Sequence, residues 1–137
     1  MIQCLKSLSE TQQFAKLIVS EILKKGPSAQ ATTVGLTGNL GSGKTTFMKF
    51  VAEALGVKEE VTSPTFVIEK IYKLSDMSFE HMIHIDAYRL ESGRELEVLG
   101  WRELISNPKN LIFIEWPERV KEILPEDMRT LQFKFID

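Results

Sequence analysis

The chain has 137 residues, 43% hydrophobic and 26% charged, with 8 Gly and 5 Pro, a balance that excludes long disorder, collagen and low complexity. At a soft figure of roughly 150 residues per domain, this is one domain spanning 1–137. Seventeen basic and nineteen acidic side chains leave a net charge of −2, too balanced to grip nucleic acid by charge alone, so any RNA contact would need a local patch or a partner.

A single cysteine, Cys4, excludes an internal disulfide and a cysteine metal cluster. No apolar run approaches the roughly 18 to 20 residues of a membrane span, and the N-terminus turns polar too early for a signal peptide. The expected compartment is the cytoplasm, with no membrane partner. Along the chain, a helix is predicted from about Ser9 to Lys25, since Ser9 and Gln12 have capping-box spacing and Phe14, Leu17, Ile18 and Ile22 recur at helical intervals. Gly26-Pro27 stops it. Thr32 to Thr37 reads as a buried strand, glycines follow, and Phe47, Phe50, Val51 and Leu55 then form a helical stripe closed by Gly56. Phe66 to Tyr72 and Met82 to Ala87 predict the two strands of a hairpin with a loose polar turn. Ser92 to Leu104 reads as helix, broken or bent near Gly100. Leu111 to Ile114 has the continuous apolar character of a strand buried on both faces. Pro117 can open a helix over Glu118 to Leu124, and Leu131, Phe133 and Phe135 alternate with polar residues in a half-exposed last strand. The expected fold class is α/β, a mixed, mostly parallel sheet flanked by helices with a central β-hairpin.

Gly38-Asn39-Leu40-Gly41-Ser42-Gly43-Lys44-Thr45 fits G-x-x-x-x-G-K-[ST] without a mismatch. Ordinary residue frequencies produce that string in roughly one chain of this length in two hundred. Its position between a predicted strand and a predicted helix strengthens the reading. Glycines let consecutive backbone N–H groups wrap around phosphate oxygens, and the positive end of the following helix adds to the attraction. Lys44 would reach the β- and γ-phosphates, and the Thr45 hydroxyl would ligate Mg²⁺.

Such a loop also needs an acidic residue at the end of a buried strand. Glu115 follows Leu111 to Ile114, and Asp86 follows Met82 to Ile85 in the same manner. Glu115 is favoured for the metal and Asp86 for the attacking water, although sequence does not settle the division between them. Thr65, in the loop Ser63-Pro64-Thr65-Phe66, is a candidate sensor of the γ-phosphate. His84 shares a strand face with Asp86 and either orients that carboxylate or is a core histidine. Trp116 is a core anchor or a contact residue, and Arg89, Arg94 and Arg102 are candidate phosphate or partner contacts. With only His81 and His84 in the chain, a catalytic zinc site is not expected.

Three further strings, Ser63-Pro64-Thr65-Phe66, His84-Ile85-Asp86-Ala87-Tyr88-Arg89-Leu90 and Ile114-Glu115-Trp116-Pro117-Glu118, follow the glycine loop in order. Together they resemble the TsaE (YjeE-type) P-loop ATPases of bacteria. The resemblance implies a cytoplasmic ATPase that uses ATP and Mg²⁺ to support threonylcarbamoyladenosine formation at position 37 of tRNA. By resemblance it acts on the TsaB–TsaD heterodimer and meets tRNA only indirectly. Leu40, Gly41, Ser42, Gly43, Lys44, Thr45 and Thr46 would hold the phosphates, and Thr45 with Glu115 would hold the metal. Asp86 would be the essential carboxylate, Thr65 would belong to one switch-like loop and Trp116 to a second. Thr11 is placed near the adenine. Asn39 departs from the acidic residue that many members carry, at a position the loop pattern leaves variable. Many members also continue beyond the equivalent of Phe135, so any nucleotide or partner contact made there would be absent here or supplied from elsewhere.

Rival readings are a small nucleoside or nucleotide kinase, which usually carries a lid not evident here, and a nucleotide-gated binding module with negligible turnover. A guanine-reading switch lacks its N-K-x-D string, which Asn107-Pro108-Lys109-Asn110 does not supply.

Overall fold

Helix α1, Leu8–Lys25, begins one residue before the predicted start, and the reason is local. Ser7 stands in extended backbone and its hydroxyl accepts from the Glu10 amide at 3.1 Å, so Ser7, not Ser9, is the N-cap. Ser7 and Glu10 share the spacing of Ser9 and Gln12, and the helix takes the earlier pair. Phe14, Ala15, Ile18, Val19 and Ile22 face the core, whereas Leu17 lies outside that stripe and is 54% exposed. Gly26, at φ 73°, closes the helix by donating its amide to the Ile22 carbonyl.

This computed structural model describes residues 2–3, 7–38, 43–58, 69–75 and 78–133. Strand β1 is Ile2–Gln3, β2 Thr32–Thr37, β3 Glu69–Lys73, β4 His81–Asp86, β5 Asn110–Glu115 and β6 Arg129–Phe133. They form one sheet in the order β1-β6-β2-β5-β4-β3. Every pairing is parallel except β3 with β4, the expected hairpin, which is central in the chain and forms one edge of the sheet. Residues 66–68 of the first predicted hairpin strand, and Phe135 of the last, lie outside the described residues.

Helix α2, Lys44–Ala54, packs with α1 on one face of the sheet, over Val34, Leu36, Leu111 and Phe113. The other face carries α3, Gly93–Val98, and α4, Trp101–Ser106, with Leu96, Trp101 and Val120 over Ile83, Ile85, Ile112 and Ile114. The break expected near Gly100 is a left-handed residue at φ 97° between α3 and α4. Pro117 opens a helix as expected, but Pro117–Ile123 winds as a 3-10 helix interrupted at Val120, whose φ of −129° is not helical. This segment lies close against β2: a Cβ on Gly35 would sit 3.1 Å from the Pro117 ring and 2.9 Å from the Met128 methyl. All six residues of β5 are buried, as a strand covered on both faces requires. Among the described residues, no helix is long and apolar enough to cross a membrane.

Candidate active site

Strands β2, β5 and β4 lie side by side and parallel, so their C-terminal ends open on one edge, where open α/β sheets bind ligands. The chain leaves β2 through Gly38, at φ 137°, and enters α2 through Gly43, at φ 99°. Both angles lie where side chains are strained. No side chain caps α2, so its first amides and the positive end of its dipole are directed at the same place.

Lys44, the first residue of α2, is only 4% exposed. Its ammonium donates to the Gly38 carbonyl, lies 3.9 Å from Glu115 Oε1 and sits 4.5 Å from the Trp116 ring centroid. Burial lowers its pKa from the ordinary lysine value, while Glu115, Asp86 and Glu118 pull it back up. A buried cation is costly without such partners, and here the Gly38 carbonyl, Glu115 and the Trp116 ring supply them.

Asp86 and Glu115 end β4 and β5 and are register partners. Each carboxylate has its own donor. The Tyr88 amide donates to Asp86 Oδ1 at 3.0 Å, and His84 Nε2 lies 2.7 Å from Glu115 Oε2. Burial raises the Asp86 pKa above the usual aspartate value; the Tyr88 amide opposes the shift and neighbouring Glu115 adds to it. Beyond them, Trp116 adopts φ 59° and ψ 49°, the single positive φ outside glycine among the described residues. That turn sets its ring 5.1 Å from the Tyr88 ring at a tilt of 56°, and the Arg119 guanidinium lies over the Tyr88 ring at 5.6 Å.

Lys44, Asp86 and Glu115 are thus brought together, and Thr45 and Thr46, both half-buried, follow Lys44 in the first turn of α2. Leu40, Gly41, Ser42 and Thr65 lie outside the described residues. Thr11 is buried in the first turn of α1, its hydroxyl donating to the Ser7 carbonyl at 3.0 Å. Arg102 pairs with Glu97 at the surface, away from this role. Sequence reasoning placed His84 correctly on the Asp86 face, but its bond is to Glu115. The Tyr88 and Arg119 stack was also missed. The signal for His84 was its alternation with Asp86; its partner depends on how β4 and β5 align.

Among the described residues, no three His, Cys, Asp or Glu side chains cluster to hold a metal by themselves. One carboxylate and one hydroxyl beside an anion-binding helix start fit Mg²⁺, which keeps water and phosphate oxygens as its remaining ligands. A strand running through a glycine loop into a helix led by a buried lysine, opposed by carboxylates on adjacent strand ends, defines a P-loop NTPase-type fold.

Comparison with known proteins narrows the class. Residues 5–137 match the family model of the threonylcarbamoyl adenosine biosynthesis protein TsaE, and the chain belongs to that family. It is 39% identical over 102 residues to the tRNA threonylcarbamoyladenosine biosynthesis protein TsaE of Borreliella burgdorferi, covering 74% of this chain and 72% of that protein. With the protein of the same name from Rickettsia bellii it shares 34% identity over 134 residues, 97% of this chain and 85% of the other. The crystal structure of Bacillus subtilis YdiB matches with a TM-score of 0.73 at 28% identity, over 97% of this chain and 75% of that one.

Proposed function

We propose that residues 1–137 form one Mg²⁺-dependent ATPase domain, acting in the cytoplasm. Its turnover supports formation of threonylcarbamoyladenosine at position 37 of tRNA through the TsaB–TsaD transferase complex. The observation that carries this reading is the buried Lys44 ammonium at the head of α2, facing Glu115 and Asp86 across the strand ends. Membership of the family supports the pathway.

In this reading Leu40 to Thr46 cradle the phosphates, with Lys44 as counter-charge to the β- and γ-phosphoryl oxygens. Thr45 and Glu115 hold Mg²⁺, which when bound neutralises charge on those oxygens. Asp86, its pKa raised by burial, orients the attacking water and takes up its proton. Thr65 belongs to a loop that senses the γ-phosphate, and Thr11 lies on the adenine side. The tRNA is met through the partner complex, in keeping with a net charge of −2.

The test is hydrolysis of Mg-ATP by the purified protein, alone and with TsaB and TsaD, using Lys44→Ala as the blank. Slow intrinsic turnover that rises with the partners, and is absent in the variant, is the expected result. Hydrolysis unchanged in Lys44→Ala refutes the phosphate site. Tight ATP binding with flat turnover in the presence of both partners refutes the ATPase reading in favour of a gated binding module. Transfer of phosphate to a nucleoside or nucleotide above the water background indicates a kinase.

A further inference from the structure

We infer that His84 is the positioning residue for Glu115, its imidazole N–H pinning Oε2 so that Oε1 alone is turned toward Lys44 and the head of α2. The inference rests on the reading of Glu115 as the metal carboxylate.

His84 sits in the middle of β4 with no exposure, opposite Phe113 in register. An imidazole costs free energy at such a position unless its polar atoms are bonded. Among the described residues its one bond is the 2.7 Å contact with Glu115, and Nδ1 has no partner. The carboxylate only accepts, so a proton belongs on Nε2. The opposite tautomer would set two acceptors against each other and bury an unbonded N–H as well.

The consequence falls on Glu115. One oxygen is tied to β4 by His84 and the other faces the Lys44 ammonium at 3.9 Å, so the two oxygens have different partners and the hydrogen bond favours one orientation of the carboxylate. It is presented as a single-oxygen donor, the kind that octahedral Mg²⁺ accepts beside water and phosphate. Asp86, its register partner, is held by the Tyr88 amide instead, and the two acids keep separate donors. Groups that orient a metal ligand from behind typically hold about 10–100-fold of metal affinity.

Two measurements test this. The first is ¹⁵N NMR of the histidine rings without nucleotide, where the chain's two histidines make assignment direct. A proton on Nε2 is expected for His84; a ring whose Nε2 carries no proton overturns the inference. The second is calorimetric ATP binding across Mg²⁺ concentrations and in EDTA, for the parent chain, His84→Leu and His84→Gln. His84→Leu is expected to raise the Mg²⁺ requirement by about 10–100-fold while leaving binding in EDTA near the parent value. His84→Gln places an amide N–H near the lost Nε2 and recovers most of the deficit, which a merely space-filling role would not produce. A parental Mg²⁺ requirement in His84→Leu, or no recovery in His84→Gln, overturns it. Should His84→Leu not fold, the ring NMR and the His84→Gln comparison with the parent decide. ATP binding by the parent chain that ignores Mg²⁺ refutes the metal reading, and this inference with it, whatever the tautomer.

Discussion

Two carboxylates of like charge end neighbouring strands, yet they sit in different environments. Asp86 is raised in pKa chiefly because burial penalises its charge. The folded chain therefore binds a proton at Asp86 over a pH window in which the unfolded chain does not. Below that window the residue costs nothing, and stability is lost as pH rises from the unfolded pKa through the folded one. Asp86→Asn keeps an oxygen for the Tyr88 amide and carries no charge. It is expected to raise the melting temperature at neutral pH and to lose that advantage near pH 3, below the ordinary aspartate range of about 3.9. Thermal scans of both proteins at the two pH values check this; an equal difference at both would refute it. If Asp86 and Glu115 act as proposed, Asp86→Asn and Glu115→Gln should each cut turnover in the assay with TsaB and TsaD by more than about tenfold, since positioning of metal and water acts mainly in the transition state. The identity of these acids was readable, since each follows an apolar run that ends at a strand's C-terminal edge. Their difference was not, since it comes from a backbone amide and an imidazole on a separate element.

Helix ends carry the next lessons. Ser7 and Ser9 both head an S-x-x-E/Q string, and only the extended conformation of Ser7 makes it the cap. Ser7→Ala should destabilise the protein by about 1 kcal/mol. Ser9→Ala, at an exposed position within the helix, should stay within about 0.5 kcal/mol. Urea denaturation of the pair tests the assignment, and the reverse order would restore Ser9. At the start of α3 no side chain of Ser92 caps the helix; the Gly93 amide donates to Glu122 from the 3-10 helix. A Cβ on Gly93 would meet Ile123 Cγ2 at 2.7 Å and Glu122 at 2.8 Å. Gly93→Ala should therefore lose about 1–3 kcal/mol through overpacking, despite the roughly 1 kcal/mol that alanine gains in helix propensity. Stabilisation by this substitution, read from the urea midpoint, would refute the close contact. Sequence alone located the break at Gly100 and the proline at the head of the 3-10 helix, Pro117–Ile123. That segment winds as a 3-10 helix with Pro117 close to Gly35 of β2 and Val120 in the second core, and no local pattern reports these contacts.

The two cores divide the labour of the fold. On the α1 and α2 face, Phe47 has no exposure, with its ring 5.6 Å from Phe14 and 5.1 Å from Phe133. It joins both helices to β6 directly behind the residues that head α2. Phe47→Ala is expected to cost about 3–5 kcal/mol, a large part of the 5–15 kcal/mol typical of a native protein. The loss is measured by urea denaturation, and a change below about 1 kcal/mol would show that this junction does not hold α2 in place. The α/β character, the strand and helix flanking the glycine loop, the lysine that heads that helix and both strand-end carboxylates were legible in the chain, because each is a pattern of near neighbours. Periodicity and turn chemistry act over a few residues and are written there directly. The pairing of Asp86 with Glu115, the bond from His84 across 31 positions to Glu115 and the left-handed turn that lays Trp116 over Lys44 were not. They depend on the register of β4 against β5 and on the approach of the 3-10 helix to β2, and register is set by packing the whole sheet between its two helical layers.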